Sequence, residues 1–248
     1  MSLIEQAFKK RLPDHQYMDL NTLLWIEDNK PYLASPHISG IDLKYVNKYL
    51  LTNIPQKKWF LSQSEINTVH GLRHTIRVMI YAIILGKQKR LLPPEIRNVT
   101  IAAAIHDLRR INDKKDYGHS DRAYQWFLNN KDKIYKKRLS NISPRDSESI
   151  GSAIFFHDED YKHIKKNSRY LRSSKIVDIL KTADALDRYR LPKVKWWIND
   201  RRLSLKPSDS IKNFAFKLII ASEHRFLLSG NNIKSVVEAL NNIFHEIK

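Results

Sequence analysis

The sequence predicts an all-α protein, and three observations support that prediction. Apolar residues recur with the period of an amphipathic helix through most of the chain after residue 60. The 248 residues include only six glycines and nine prolines, and most of these separate the periodic segments. The first 60 residues lack this period, but they show no alternation of apolar and polar residues that would predict a sheet.

The elements are predicted in chain order. Residues 1–60 contain the loop-like stretch NKPYLASPHISGID, so we expect an irregular N-terminal extension packed on a helical body. SQSE at 62–65 reads as a capping box, and PPE at 93–95 places prolines at a helix entrance. Ser143 and Pro144 form a cap and a first helical position, and SGNN separates the last two helices. The predicted helices cover residues 64–90, 94–107, 120–138, 144–157, 174–188, 208–228 and 232–247.

Composition limits the chemistry of the protein. The chain has no cysteine, which excludes disulfides and thiolate zinc sites, so a metal would have to be held by nitrogen and oxygen. The formal charge of +18 favours phosphate-bearing ligands or polyanions, although solvated basic helix faces would explain it equally well. The N-terminus lacks the apolar core of a signal peptide, and apolar runs such as VMIYAIILG are too short to span a bilayer. We therefore expect a cytoplasmic protein without a membrane partner.

Five of the ten histidines lie at or near predicted helix ends: His70, His74, His106, His119 and His157. His106 is followed directly by Asp107, at the end of the small apolar run AAAI. Burying these two side chains costs free energy unless a partner such as a cation compensates. Imidazole and carboxylate ligands suit Mn, Fe, Ni, Co or Zn better than Mg alone.

The ordered motifs resemble those of the HD-domain superfamily of metal-dependent phosphohydrolases. The likeness lies in HTIRV at His74, AAAIHDLRR at His106 and Asp107, and KTADALDRYR at Asp184. HDLRRINDKKDYGHSDRAY and SAIFFHDED resemble the two later histidine-bearing stretches of the family. Arg109 and Ser120 depart from it, since the family usually has glycine there.

The resemblance covers residues 62–192, and it implies an HD-domain-like helical bundle. Residues 1–60 would then form the extension, 61–192 the metal-binding core, and 193–248 the helices that complete the same domain. It implies a phosphohydrolase that cleaves a phosphate ester or phosphodiester of a nucleotide-like substrate with a metal-bound hydroxide.

The resemblance also implies the roles of individual residues. One metal would be held by His74, His106, Asp107 and Asp184, and a second by His119 and His157, with Asp107 bridging. One or two divalent transition metals are expected, with Mg as an alternative. The catalytic residues would be Asp107, Arg109 and His119. The substrate-binding residues would be Arg77, Arg110, Lys114, Arg188 and Arg190.

Each assignment has a structural alternative. His119 could simply start a helix, His157 could belong to an acidic helix exit, and Asp184 could be a salt-bridge partner. Arg77 could brace a buried acid. Trp196 and Trp197, which lie among basic residues in RYRLPKVKWWINDRR, could be core residues or contacts for a nucleotide or nucleic acid.

Other functions remain open from the sequence. The charge also fits an HD-type nuclease acting on DNA or RNA, or a non-catalytic module that binds nucleotides or nucleic acid. A di-iron oxygenase is a further alternative, because some HD-fold proteins resemble hydrolases in their ligands but activate O₂.

Overall fold

The computed structural model describes residues 1–33, 38, 40–136 and 142–246. Helices account for most of this part of the chain and it contains no strand, which confirms the all-α prediction. The α-helices are α1 (Leu3–Phe8), α2 (Leu20–Asp28), α3 (Leu43–Leu50), α4 (Leu72–Gln88), α5 (Pro93–Ile105), α6 (His119–Lys136), α7 (Pro144–Phe156), α8 (Tyr161–Ile164), α9 (Ser168–Leu186), α10 (Asp209–Ser229) and α11 (Asn232–Glu246).

The N-terminal extension is more regular than the sequence predicts, because it contains α1, α2 and α3. Each begins at a short polar cap, which is Ser2, Asp19 or Asp42. Helix α3 packs on α4, and α2 packs on α10, so the extension joins the helical body as expected. His37 lies outside the described residues.

Two predicted helix starts are wrong. The segment predicted as a helix from residue 64 forms a 3₁₀ turn at Gln63–Asn67, and α4 begins only at Leu72. Helix α9 starts six residues earlier than predicted, because the side chain of Asn167 caps it. The short helix α8 was not predicted, and residues 137, 138 and 247 of the predicted helices lie outside the described residues.

Helix α4 is the centre of the core, since every residue from Leu72 to Gly86 is buried. It packs against α5 and α9, and α7 packs against α5, α6 and α9. This arrangement brings the starts of α4 and α6 to the same end of the bundle as the ends of α5, α7 and α9. Within the described residues, no helix combines the length and the apolar character needed to cross a membrane.

Candidate metal centre

Six predicted ligands converge where these five helix ends meet. His74 lies in the first turn of α4, His106 ends α5, and His119 opens α6. His157 ends α7, and Asp184 lies in the last turn of α9. Asp107 follows His106. All six are buried except Asp184, whose side chain is 27% exposed.

Four of these side chains form one compact donor group. Nε2 of His74 lies 3.2 Å from Nε2 of His106, 3.4 Å from Oδ2 of Asp107 and 3.5 Å from Oδ1 of Asp184. Nε2 of His106 lies 3.9 Å from both of these oxygens. Metal–ligand distances of about 2.1 Å separate tetrahedral donors by about 3.4 Å, so the spacing fits one ion.

The other oxygen of Asp107 belongs to a second donor group. Oδ1 lies 3.2 Å from Nε2 of His119 and 3.5 Å from Nε2 of His157. The two histidine nitrogens lie 3.1 Å apart. The carboxylate of Asp107 therefore stands between two pairs of imidazoles, with one oxygen toward each pair.

The remaining ring nitrogens show which histidine atoms are free to bind a cation. In all four rings Nδ1 lies 2.7 or 2.8 Å from an oxygen that only accepts hydrogen bonds, so Nδ1 carries the proton. In the neutral form of each ring, Nε2 then carries the lone pair that can bind a cation. Burial lowers the pKa of His119, but the carboxylate of Asp107 outweighs this effect and raises it, so a cation would displace the proton that this contact favours. The acceptors are Asp187 for His74, Ala103 for His106, Asp116 for His119 and Ile154 for His157.

The charge states of the ligands agree with cation binding. Burial lowers the pKa of His106 to about 4, which keeps this ring neutral at pH 7. Burial raises the pKa of Asp184, but the electrostatic effect of the His74 and His106 rings outweighs it and the value falls to about 2, so this carboxylate is ionised at pH 7. Oδ1 of Asp107 is buried and accepts no hydrogen bond. A buried carboxylate oxygen without a hydrogen-bond partner, next to imidazole nitrogens, fits a divalent cation.

Arg77 does not line this site, contrary to its prediction as a substrate contact. It is fully buried, and its guanidinium donates to Asp187 at 2.7 and 3.0 Å and to Glu223 at 2.7 Å. Since Asp187 also accepts from His74, Arg77 acts on the site through the residue that orients a ligand. The alternative interpretation, that Arg77 braces a buried acid, is the one the structure supports.

Arg109 is also absent from the site that was predicted for it. Its Nη1 donates to the carbonyl oxygen of Trp59 at 3.2 Å, and its guanidinium lies 6.0 Å from the ring centre of Trp126. It does not line the cavity beside the ligands. The chain turns after Asp107, so the adjacent Arg110 faces the cavity instead.

Four predicted cations do line that cavity, which has a volume of about 580 Å³. Nη1 of Arg110 lies 3.7 Å from Oδ1 of Asp107. Lys114 is exposed and pairs with Asp14, and Arg188 is exposed. Arg190 is buried, and it donates to the carbonyl oxygens of Val69 and Asp187.

A second polar cluster, which was not predicted from the sequence, lies at the rim of this cavity. Nδ1 of His15 lies 2.8 Å from Oε1 of Glu65, and Nδ1 of His70 lies 2.7 Å from Oδ1 of Asp113. His15, Glu65 and Asp113 are spaced closely enough to hold an ion. Asp113, however, already accepts hydrogen bonds from His70 and from the backbone of Gln16. Nδ1 of His15 and both carboxylate oxygens of Glu65 are buried without a hydrogen-bond partner, so only the Asp113 part of the group is hydrogen-bonded. No sequence spacing pointed to this group.

No protein-family model, no curated protein and no solved structure matches the chain. The interpretation of this site therefore depends on its own geometry.

Proposed function

We propose that the protein is a metal-dependent phosphohydrolase of the HD-domain superfamily. The observation that carries the proposal is the position of Asp107, whose two oxygens each face a separate pair of imidazole Nε2 atoms. A carboxylate in this position could contact both ions of a two-metal hydrolytic site.

The donor groups assign the ligands. His74, His106, Asp107 and Asp184 would hold one ion, and Asp107, His119 and His157 would hold the other. Ions bound there would act as Lewis acids, lowering the pKa of coordinated water and stabilising charge on phosphoryl oxygens. Nitrogen and oxygen donors without sulfur favour Mn, Fe, Co, Ni or Zn, and Mg would bind less tightly.

The protein's own cations would place the substrate. Arg110 lines the cavity next to Asp107, so its guanidinium can bind a phosphate oxygen beside the ligand set. Arg188 is exposed at the cavity wall and can bind a second oxygen. Arg190 is fixed by two backbone carbonyls, so it contributes charge without moving. The buried imidazoles hold their donor atoms in place because each Nδ1 is already engaged.

Elemental analysis of the metal-reconstituted protein tests the site. We expect about two equivalents of a divalent transition metal per chain. His106→Ala and His119→Ala should each lose metal, and Asp107→Asn should lose both ions. His224→Ala is the control, because His224 pairs with Glu27 away from the centre. A wild-type chain that holds no metal after reconstitution would overturn the proposal.

Release of p-nitrophenolate tests the reaction. We expect hydrolysis of p-nitrophenyl phosphate or bis(p-nitrophenyl) phosphate in the presence of the metal that the protein retains, and a loss of at least about 100-fold in Asp107→Asn. Oxygen consumption with iron and without p-nitrophenolate release would identify an oxygenase instead. Metal binding without either reaction would favour a binding module.

A further inference from the structure

A second cavity, of about 640 Å³, also reaches the metal centre. Five residues line both this cavity and the one that contains Arg110: His157, Asp158, Asp184, Arg188 and Trp196. The space beside the ligands is therefore larger than a single phosphate group requires. A ligand bound at the centre can continue along the wall of the second cavity.

Five exposed cations line this second cavity, and four of them lie within residues 188–202: Arg188, Lys195, Arg201 and Arg202; the fifth is Lys165. Within the described part of the chain, none of the four has a carboxylate oxygen within 4 Å. The nearby Asp200 pairs with Lys212 at 2.6 Å instead. We call these four residues the basic wall. The four charges of the basic wall are available to a ligand, whereas most of the buried arginines of the bundle are paired with buried acids.

An aromatic ring stands at the point where the two cavities meet. Trp196 is half-buried, and its carbonyl oxygen accepts a hydrogen bond from Nε of Arg188 at 2.6 Å. The neighbouring Trp197 is a core residue, because it is buried, donates to the carbonyl oxygen of Leu191 and packs on Tyr189. Of the two tryptophans, Trp196 is the partly exposed one. Nζ of Lys193 lies 4.6 Å from its ring centre, so a stacked base would have to displace this flexible side chain.

Acidic residues limit where an anionic ligand can lie. Asp158, Glu159 and Asp160 also line the second cavity and are exposed, and Asp158 lines the first cavity as well. Their charge repels phosphates, so the basic wall is the part of the lining that favours a polyanion. A ligand that contacts the metal centre and the basic wall would pass Trp196, which lines both cavities.

From this path we propose that the ligand of the site is a single-stranded nucleic acid. One phosphodiester would lie at the metal centre, a base would stack on Trp196, and the following phosphates would contact the basic wall. Stacking on a protein ring requires an unpaired base, and a sequence-tolerant contact of this kind is typical of single-strand binding. The inference depends on the proposed function for the scissile phosphate, but the binding it describes can be measured separately.

The test is fluorescence anisotropy with a labelled 12-nucleotide oligothymidylate, in excess EDTA so that no hydrolysis occurs. We expect Arg201→Ala/Arg202→Ala to weaken binding about tenfold at 0.1 M salt. The slope of log affinity against log salt should also become shallower by about 1.4, since two phosphate contacts are lost. Trp196→Ala should weaken binding about tenfold and leave the slope unchanged.

The matched control is Lys57→Ala/Lys58→Ala. Lys57 and Lys58 are adjacent and exposed in a one-turn 3₁₀ helix, like Arg201 and Arg202, and they do not line either cavity. The control removes the same charge and should change affinity less than the arginine variant. Equal losses in both variants, or equally tight binding of a blunt duplex, would overturn the inference.

The two proposals fail in distinguishable ways. Metal retention and hydrolysis of bis(p-nitrophenyl) phosphate without oligothymidylate binding would remove only the nucleic-acid inference. Oligothymidylate binding that depends on Arg201 and Arg202, in a chain that holds no metal, would remove the hydrolase and support the binding path.

Discussion

Oδ2 of Asp187 lies 2.8 Å from Nδ1 of His74, and the same carboxylate is held by the guanidinium of Arg77. All three side chains are fully buried. The guanidinium of Arg77 also reaches Glu223 on α10, so the orientation of one ligand is coupled to the packing of α4 against α10. The contact therefore links the stability of the bundle to the affinity of the centre for metal.

Asp187→Asn tests this link. The amide would be a poorer acceptor for His74 and a poorer partner for Arg77, so the ring would lose its fixed tautomer. We expect the affinity of the first ion to fall about 10- to 100-fold, measured by competition with a chromophoric chelator. Asp200→Asn, at an exposed ion pair, is the control. Unchanged affinity in Asp187→Asn would show that this contact does not position the ligand.

Gly71 fixes where α4 begins, and therefore where His74 lies. A Cβ at Gly71 would overlap the carbonyl oxygens of Glu65 and Ile66, and the backbone cannot yield there as a flexible side chain would. We expect Gly71→Ala to lower the free energy of unfolding in urea by at least about 2 kcal/mol, with weaker metal binding. Gly230→Ala meets open space and costs about 1 kcal/mol through its positive φ alone. Equal costs in the two variants would contradict this explanation.

The resemblance to HD-domain motifs implied the six candidate ligands, and the motifs that carry it are local in sequence. Each lies at a helix end, and the pair His106–Asp107 closes a small apolar run that could only be buried. The residues that hydrogen-bond to the candidate ligands had no such signal. Asp187 lies three residues after Asp184 in the same motif, but its contact with Arg77 spans more than a hundred residues and depends on how α9 meets α4.

The adjacent residues Arg109 and Arg110 show the same limit of prediction from the sequence. The motif suggested Arg109 as a catalytic cation, but residues 108 and 109 continue a turn beyond α5, and the direction of each side chain depends on that turn. Arg109 contacts Trp59 and Trp126, which lie in other segments of the chain. The spacing of residues within the motif does not predict these contacts. The late start of the helix predicted at 64–90 has a different, local origin, since the close approach at Gly71 is to the backbone of residues 65 and 66.

The two arginines should consequently differ in function. Arg110→Ala removes the cation 3.7 Å from Asp107, and we expect kcat/KM for phosphate hydrolysis to fall about tenfold. Arg109→Ala, which removes the same charge one residue away, should stay within about twofold of wild type. Steady-state kinetics with the metal-loaded protein measures both. A larger loss in Arg109→Ala than in Arg110→Ala would restore the original assignment.

Glu65 should make the stability of the protein depend on pH. Burial, and then the charge of Asp113, raise the pKa of Glu65 from 4.5 to about 7. Between these values the folded state holds a proton that the unfolded state has released. The contribution of Glu65 to stability is therefore present below pH 4.5 and is lost as the pH rises to 7. We expect the loss to be about 2 kcal/mol once solvent screening is included.

The histidines also titrate in this pH range. The effect of Glu65 is therefore isolated by comparing the free energy of unfolding of wild type with that of a Glu65 variant at two pH values. Urea unfolding of wild type and Glu65→Gln is measured at pH 5 and pH 8 in EDTA. Glutamine cannot ionise, so the variant should gain stability relative to wild type by about 2 kcal/mol between the two pH values. Glu246→Gln, at an exposed position, should show no such change. If the difference between Glu65→Gln and wild type is the same at both pH values, Glu65 is ionised throughout, and its partner His15 must carry the compensating charge.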